Sequence, residues 1–273
     1  MDCAFPRCTT DCMSETITLD VPTETIESTS KQGADFPVDF GAYVVRPIGE
    51  LKGALIVIHE IWGLVDHITS IADRYAAEGY LVIAPDVLSA IGIEAQIGEE
   101  LFAIRNSPDE TVRTEGQPRL RDAFGSLQTP GYSEWVVGAL TAAVDYLEAQ
   151  PGVDGRVAVT GFCFGGSYSF ALAAADPRVK AALPFYGSAG AAGDLSTIAC
   201  PVYAFYGEND PSLVDALPEV TKQMADAGID FQSKVYPGTG HAFFNDTNPA
   251  TYDAEASADA WAKSNAFLAA HLG

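Results

Sequence analysis

Residues 159–167 read VTGFCFGGS: a short β-branched run, then Cys163 with Gly161 two positions before it and Gly165 two positions after. A buried structural cysteine has no use for glycine at both of those positions. A nucleophile on a sharp strand-to-helix turn does, because side chains flanking it would collide with the neighbouring strands. The pattern predicts a strand over 157–160, an elbow carrying Cys163, and a helix beneath it whose N-terminal dipole favours the thiolate over the thiol. That reading requires, elsewhere in the chain, a base, an acid to orient the base, and donors for a developing oxyanion.

On either side of the elbow, short apolar runs alternate with amphipathic stretches, the pattern of a largely parallel sheet covered by helices on both faces. Strands are expected at 42–46, 54–59, 81–84, 157–160, 181–185, 202–206 and 232–236, and helices at 66–78, 133–150, 165–175, 214–227 and 252–272. Residues 17–47 read as strands joined by polar turns, an antiparallel edge ahead of the parallel portion. Residues 86–132 are broken repeatedly, at Gly98, Pro108, Gly116, Pro118, Gly125 and Pro130, and read as an irregular lid or binding insertion. It carries Arg105, Arg113, Arg119 and Arg121.

In this architecture the nucleophile is followed first by the acid and then by the histidine. Of the four histidines, His59, His67 and His271 fall at a strand end, a helix start and the C-terminal helix. Only His241, in PGTGHAFFN, lies downstream of Cys163 in a loop after a strand, so it is the expected base. The acid belongs at a strand end between the two: YGENDPSL offers Asp210, the preferred choice, and Glu208, the alternative. In IVIHEIWGL, Glu60 closes a strongly apolar strand, at the mouth of a parallel sheet where open α/β folds bind ligands. The backbone N–H of the next residue, Ile61, and that of Phe164 would point at one oxyanion.

A chain of 273 residues, 48% hydrophobic, suits one α/β domain. Lysine plus arginine number 15 against 37 acidic residues, a net charge of −22, which argues against nucleic acid and anionic membranes as partners. No apolar run is long enough to span a bilayer, and the first residues lack the apolar core of a secretory signal, so a cytoplasmic enzyme is expected. Five cysteines cannot all pair. Cys3, Cys8 and Cys12 crowd the N-terminus without a fourth ligand, so no metal is expected, and Cys200 reads as a buried hydrophobe on a strand. Met13 opens MSETITL in the manner of a chain start. Residues 1–16 read as an extension, expected to be disordered, ahead of a single domain over 17–273.

Four blocks, IVIHEIWGL, GFCFGGS, YGENDPS and GTGHAFFN, in that order, resemble the dienelactone hydrolase (carboxymethylenebutenolidase) family, α/β-hydrolases with cysteine where most relatives have serine. The resemblance runs from about residue 36 to 272, and YDAEASADAWAKSNAFLAAHL is similar to the last helix of bacterial members. It implies that Cys163 is the nucleophile, His241 the base and Asp210 its orienting acid. It further implies that Glu60 contacts the resting thiol and shares in its activation, that no metal or organic cofactor is used, and that an acyl-cysteine is hydrolysed by water.

The chain departs from the family at one place. Members that cleave dienelactone have serine directly after the histidine and arginine four positions after it, both serving the substrate carboxylate. Here those places hold Ala242 and Asn245. The expectation is a hydrolase of a small ester or lactone, monomeric or a small homo-oligomer, with Trp62, Asn245, Arg105 and Arg113 as candidate substrate contacts. A carboxylesterase or thioesterase for uncharged acyl groups is the enzymatic alternative, and a hydrolase-fold binding protein is the alternative of another class.

Overall fold

Alternation along β3 (Gly53–Ile58) explains the layering of the computed structural model, which describes residues 13–273. Ala54, Ile56 and Ile58 pack into one apolar cluster, Leu55 and Val57 into the other, and none is exposed. A strand buried on both faces needs a helical layer on each side. Each Val, Leu or Ile so buried contributes about 1.5–3 kcal/mol.

Before β3 come β1 (Met13–Asp20), α1 (Thr23–Lys31) and β2 (Asp39–Arg46); after it come α2 (Asp66–Ala77) and β4 (Tyr80–Pro85). The insertion holds α3 (Ala95–Arg105), α4 (Glu110–Glu115) and α5 (Gln117–Gly125), and α6 (Tyr132–Glu148) follows. Then run β5 (Val157–Phe162), α7 (Phe164–Ala175), β6 (Val179–Phe185) and β7 (Val202–Gly207). The chain continues through α8 (Pro211–Val214), α9 (Leu217–Asp226), β8 (Phe231–Tyr236) and α10 (Ala254–Leu272).

One sheet of 8 strands results, in the order β1-β2-β4-β3-β5-β6-β7-β8. β1 on β2 and β2 on β4 are antiparallel, and the other pairs are parallel. Residues of α6 and α7 fill the cluster on one face, those of α2 and α10 the cluster on the other. This is the expected α/β architecture with its antiparallel edge. Among the described residues no helix is long and apolar enough to cross a membrane.

Several local expectations are corrected. Met13–Asp20 pairs with β2 along its whole length, so residues 13–16 belong to the sheet and not to an extension. The calls on Cys3, Cys8 and Cys12 lie outside the described residues. Between β1 and β2 the chain forms α1, not a polar turn: Thr25 packs against α6 at Gly138, where an added Cβ would come within 2.6 Å of the threonine side chain. That contact supplies what the weakly helical TETIESTSK lacks by itself. Cys200 is buried, but it lies two residues ahead of β7 and not on a strand.

The insertion, expected to be irregular, is mostly helical. Its glycine and proline residues separate short helices, and Gly98 lies within α3. A Cβ there would stand 1.7 Å from the Trp62 carbonyl oxygen, so glycine lets α3 lie directly on the loop after Glu60. The helix expected at 214–227 is α9, which begins three residues later, and the separate short α8 precedes it, with proline in the first turn of each.

Candidate active site

Cys163 stands alone between β5 and α7, with φ 56° and ψ −109°. A non-glycine residue held there costs roughly 1–3 kcal/mol and persists only where its surroundings impose it. Here the Cys163 N–H donates to the Phe185 carbonyl, its own carbonyl accepts from Ser167 N–H, and Gly165 N–H donates to the His59 carbonyl, each at 3.0 Å. A Cβ on Gly165 would come within 2.2 Å of the Ile58 carbonyl oxygen, at the end of β3. A Cβ on Gly161 would be equally close to the carbonyl of Gly165, so that second collision is within the elbow itself and not with a neighbouring strand.

The backbone N–H groups of Phe164 and Ile61 are directed at the Cys163 sulphur. They favour the thiolate, but burial and the adjacent Glu60 carboxylate outweigh them and push the thiol up to about 12. The balance favours a resting thiol, as the family resemblance implies, over the thiolate that the helix dipole alone would favour. Glu60 itself is only 2% exposed. Asn245 Nδ2 donates to its Oε2 at 2.8 Å, and the Tyr186 hydroxyl lies 3.4 Å from its Oε1.

His241 Nδ1 lies 2.5 Å from Asp210 Oδ2. With Nδ1–H held by the carboxylate, Nε2 is left to act as a base. Asp210 is buried and also accepts from Ser212 Oγ at 3.0 Å, whereas the His241 side chain is 44% exposed. Glu208 is exposed and accepts the Gly238 N–H at 2.9 Å, so the choice between the two acids falls to Asp210 on geometry.

The segment after His241 is tied down from behind. Asp246 contacts Arg74 at 2.5 Å and His67 at 3.3 Å, both on α2. Burial alone would raise its carboxyl, but the hydrogen bond to His67 and the charge and hydrogen bond of Arg74 hold it at about 2. Tyr186, which sequence reasoning missed, is fully enclosed at φ 38°, with its ring 5.0 Å from that of His241 and its hydroxyl toward Glu60. A tyrosine directly after β6 carries no motif; only its left-handed backbone, visible in the folded chain, singles it out. Among the described residues no group of His, Cys, Asp or Glu is arranged to hold a metal ion.

Residues 40–272 match the dienelactone hydrolase family model. The chain belongs to the dienelactone hydrolase family. It is 32% identical over 234 residues to the "Putative carboxymethylenebutenolidase" of Saccharolobus solfataricus, covering 80% of this chain and 89% of that protein. A protein of the same name from Synechocystis is 32% identical over 267 residues, covering 90% of this chain and 96% of the relative. Among solved structures, the "Putative Dienelactone Hydrolase" of Klebsiella pneumoniae superposes with a TM-score of 0.71 at 26% identity, covering 94% of this chain and 99% of that one. The α/β-hydrolase fold and a hydrolase of this family are thereby established.

Against the dienelactone-cleaving pattern of the family, the residues expected to contact substrate are placed differently. Asn245 is buried, with Nδ2 on Glu60 and Oδ1 accepting from the backbone and hydroxyl of Thr247, so it holds a carboxylate of the protein and not one of a ligand. Trp62 turns its ring into the insertion, edge-on to Phe102 and Phe124. Arg113 donates to the Ser107 carbonyl at 2.6 Å and Arg119 forms two hydrogen bonds to Glu100, so both are engaged within the insertion. Arg121 is exposed on α5. Arg105 is exposed at the end of α3, one residue before Asn106, which accepts from Asn248 of the His241 segment at 3.1 Å.

Proposed function

We propose that the chain hydrolyses a small uncharged ester or lactone, with Cys163 as nucleophile, His241 as base and Asp210 as its orienting acid. The observation that carries this reading is the convergence of two backbone N–H groups, from Ile61 and Phe164, on a sulphur held in a strained elbow. Donors so aimed suit the oxygen of a tetrahedral adduct.

In the reaction, the substrate carbonyl oxygen takes up the two N–H groups as the sulphur attacks its carbon. The thiol proton passes to a carboxylate or imidazole beside it, with Glu60 in that role by the family resemblance. Collapse of the adduct breaks the carbon–oxygen bond, and the alkoxide leaves with the thiol's own proton, handed back by the group that took it. Water then gives a proton to His241 and attacks the thioester, and the carboxylic acid departs as the thiol is restored. Keeping the resting thiol protonated guards the site against adventitious alkylation until a carbonyl is bound.

Asn245 in the place of a cation supports an uncharged substrate over one bearing a carboxylate, since a buried carboxylate without a positive partner is costly. The test is a pre-steady-state measurement with p-nitrophenyl acetate. A burst equal to the enzyme concentration is expected, absent in Cys163→Ala. Turnover retained by that variant removes the cysteine mechanism, and wild-type protein that binds the ester without cleaving it supports the binding-protein alternative.

A further inference from the structure

His59 follows β3 directly and is completely buried, yet the chemistry above does not use it. Its ring Nδ1 lies 2.8 Å from the Glu60 carbonyl oxygen, and its Nε2 lies 3.2 Å from the Val87 backbone N. A backbone N–H can only donate, so Nε2 is the acceptor and Nδ1 carries the proton that goes to Glu60. Burial lowers the imidazole's pKa and keeps it in this neutral form.

The Glu60 carbonyl and the Ile61 N–H belong to one planar trans peptide and point in opposite directions. Holding that oxygen from behind aims that N–H forward, at the Cys163 sulphur. The second donor is reached from the same residue. The His59 ring stacks on Phe164, with centroids 5.8 Å apart and planes 10° apart, and the His59 carbonyl accepts the N–H of Gly165 at 3.0 Å. The Ile61 peptide is thus braced directly by the His59 side chain, and the residue that carries the second donor is buttressed through its ring and the peptide that follows it.

We propose that His59 is a positioning residue that sets the direction of the Ile61 oxyanion donor and buttresses the elbow that carries the second. This rests on the cysteine-hydrolase reading above. It assigns the residue a role in the transition state without contact with substrate, and the decisive bond is the one from Nδ1 to the Glu60 carbonyl.

Two near-isosteric variants separate that bond from general packing. In His59→Asn the amide nitrogen can occupy the place of Nδ1 and donate to Glu60, whereas in His59→Gln the amide oxygen can serve Val87 but the donor to Glu60 is lost. Expected is a kcat for His59→Gln lower by about 10- to 100-fold with KM little changed, below the loss of a whole oxyanion donor, and a much smaller loss for His59→Asn. An aldehyde analogue of the acyl group, which forms a hemithioacetal with Cys163, should lose affinity in proportion to kcat/KM across both variants. The affinity of the intact ester, measured in a Cys163→Ala background, should stay constant.

Equal loss in the two variants, or His59→Gln the more active, overturns the proposal, as does aldehyde affinity that does not follow kcat/KM. Failure of the underlying reading looks different: Cys163→Ala would retain turnover and the wild type would form no hemithioacetal.

Discussion

Cys163 carries its thiol into a site where water is scarce and a carboxylate is adjacent, and both favour the proton on sulphur. With the thiol at about 12, the thiolate fraction at neutral pH is very small. The rate of alkylation by iodoacetamide is therefore expected to rise about tenfold per pH unit from about pH 7 to 9 without levelling off. A plateau on the acid side of pH 7 would show a preformed thiolate and refute the assignment of the resting state. At the base, Asp210→Asn is expected to lower kcat by about 100-fold or more, because the amide no longer fixes the tautomer of His241, whereas Glu208→Gln should cost less than about threefold. The reverse ranking in steady-state assays would transfer the orienting role to Glu208.

At the scale of elements, the segment after His241 is held to α2 by Asp246, and the carboxyl at about 2 makes that tie pH-dependent. Its pKa in the folded chain lies below the ordinary 3.8, so the stabilisation is complete above about pH 4 and is lost as the pH falls through 2. It is on the order of 2 kcal/mol. Asp246→Asn should lower the urea midpoint at neutral pH, and the gap from wild type should narrow between about pH 4 and 2; a gap independent of pH would mean that the carboxylate charge is not what holds the segment. The elements themselves were unequally legible. Strands such as β3, β4 and β5 announce themselves because burial on both faces demands unbroken apolar runs. α1 does not, because its helical state depends on α6, more than a hundred positions away. The helices of the insertion were hidden behind Gly98, Gly116 and Pro118, residues that normally break helices and here separate or accommodate them.

For the whole molecule, a net charge of −22 repels anions before they reach any site. Together with Asn245 in place of a cation, it is expected to make kcat/KM for neutral esters at least several-fold higher than for carboxylate-bearing analogues. Because the long-range part is screened, the gap should shrink as ionic strength rises from about 0.01 to 0.5 M. A preference for the anionic analogue, abolished in Arg105→Ala, would instead identify Arg105 as a replacement for the missing clamp.

What sequence alone determined about this protein is whatever neighbouring residues decide among themselves. The elbow follows from glycines on either side of Cys163, the sheet from short unbroken apolar runs, and the order of Cys163, Asp210 and His241 from chain direction. What only the tertiary structure decided depends on groups distant along the chain. Asn245 and Glu60 are 185 positions apart, so the asparagine could not be seen to hold that carboxylate. Nor could the cause of the resting thiol's protonation be read from neighbouring residues, since it is the balance of burial and a carboxylate against two N–H groups brought together by folding. Electrostatic energies are set by distance in space and by the exclusion of water, and neither is a property of a local stretch of sequence.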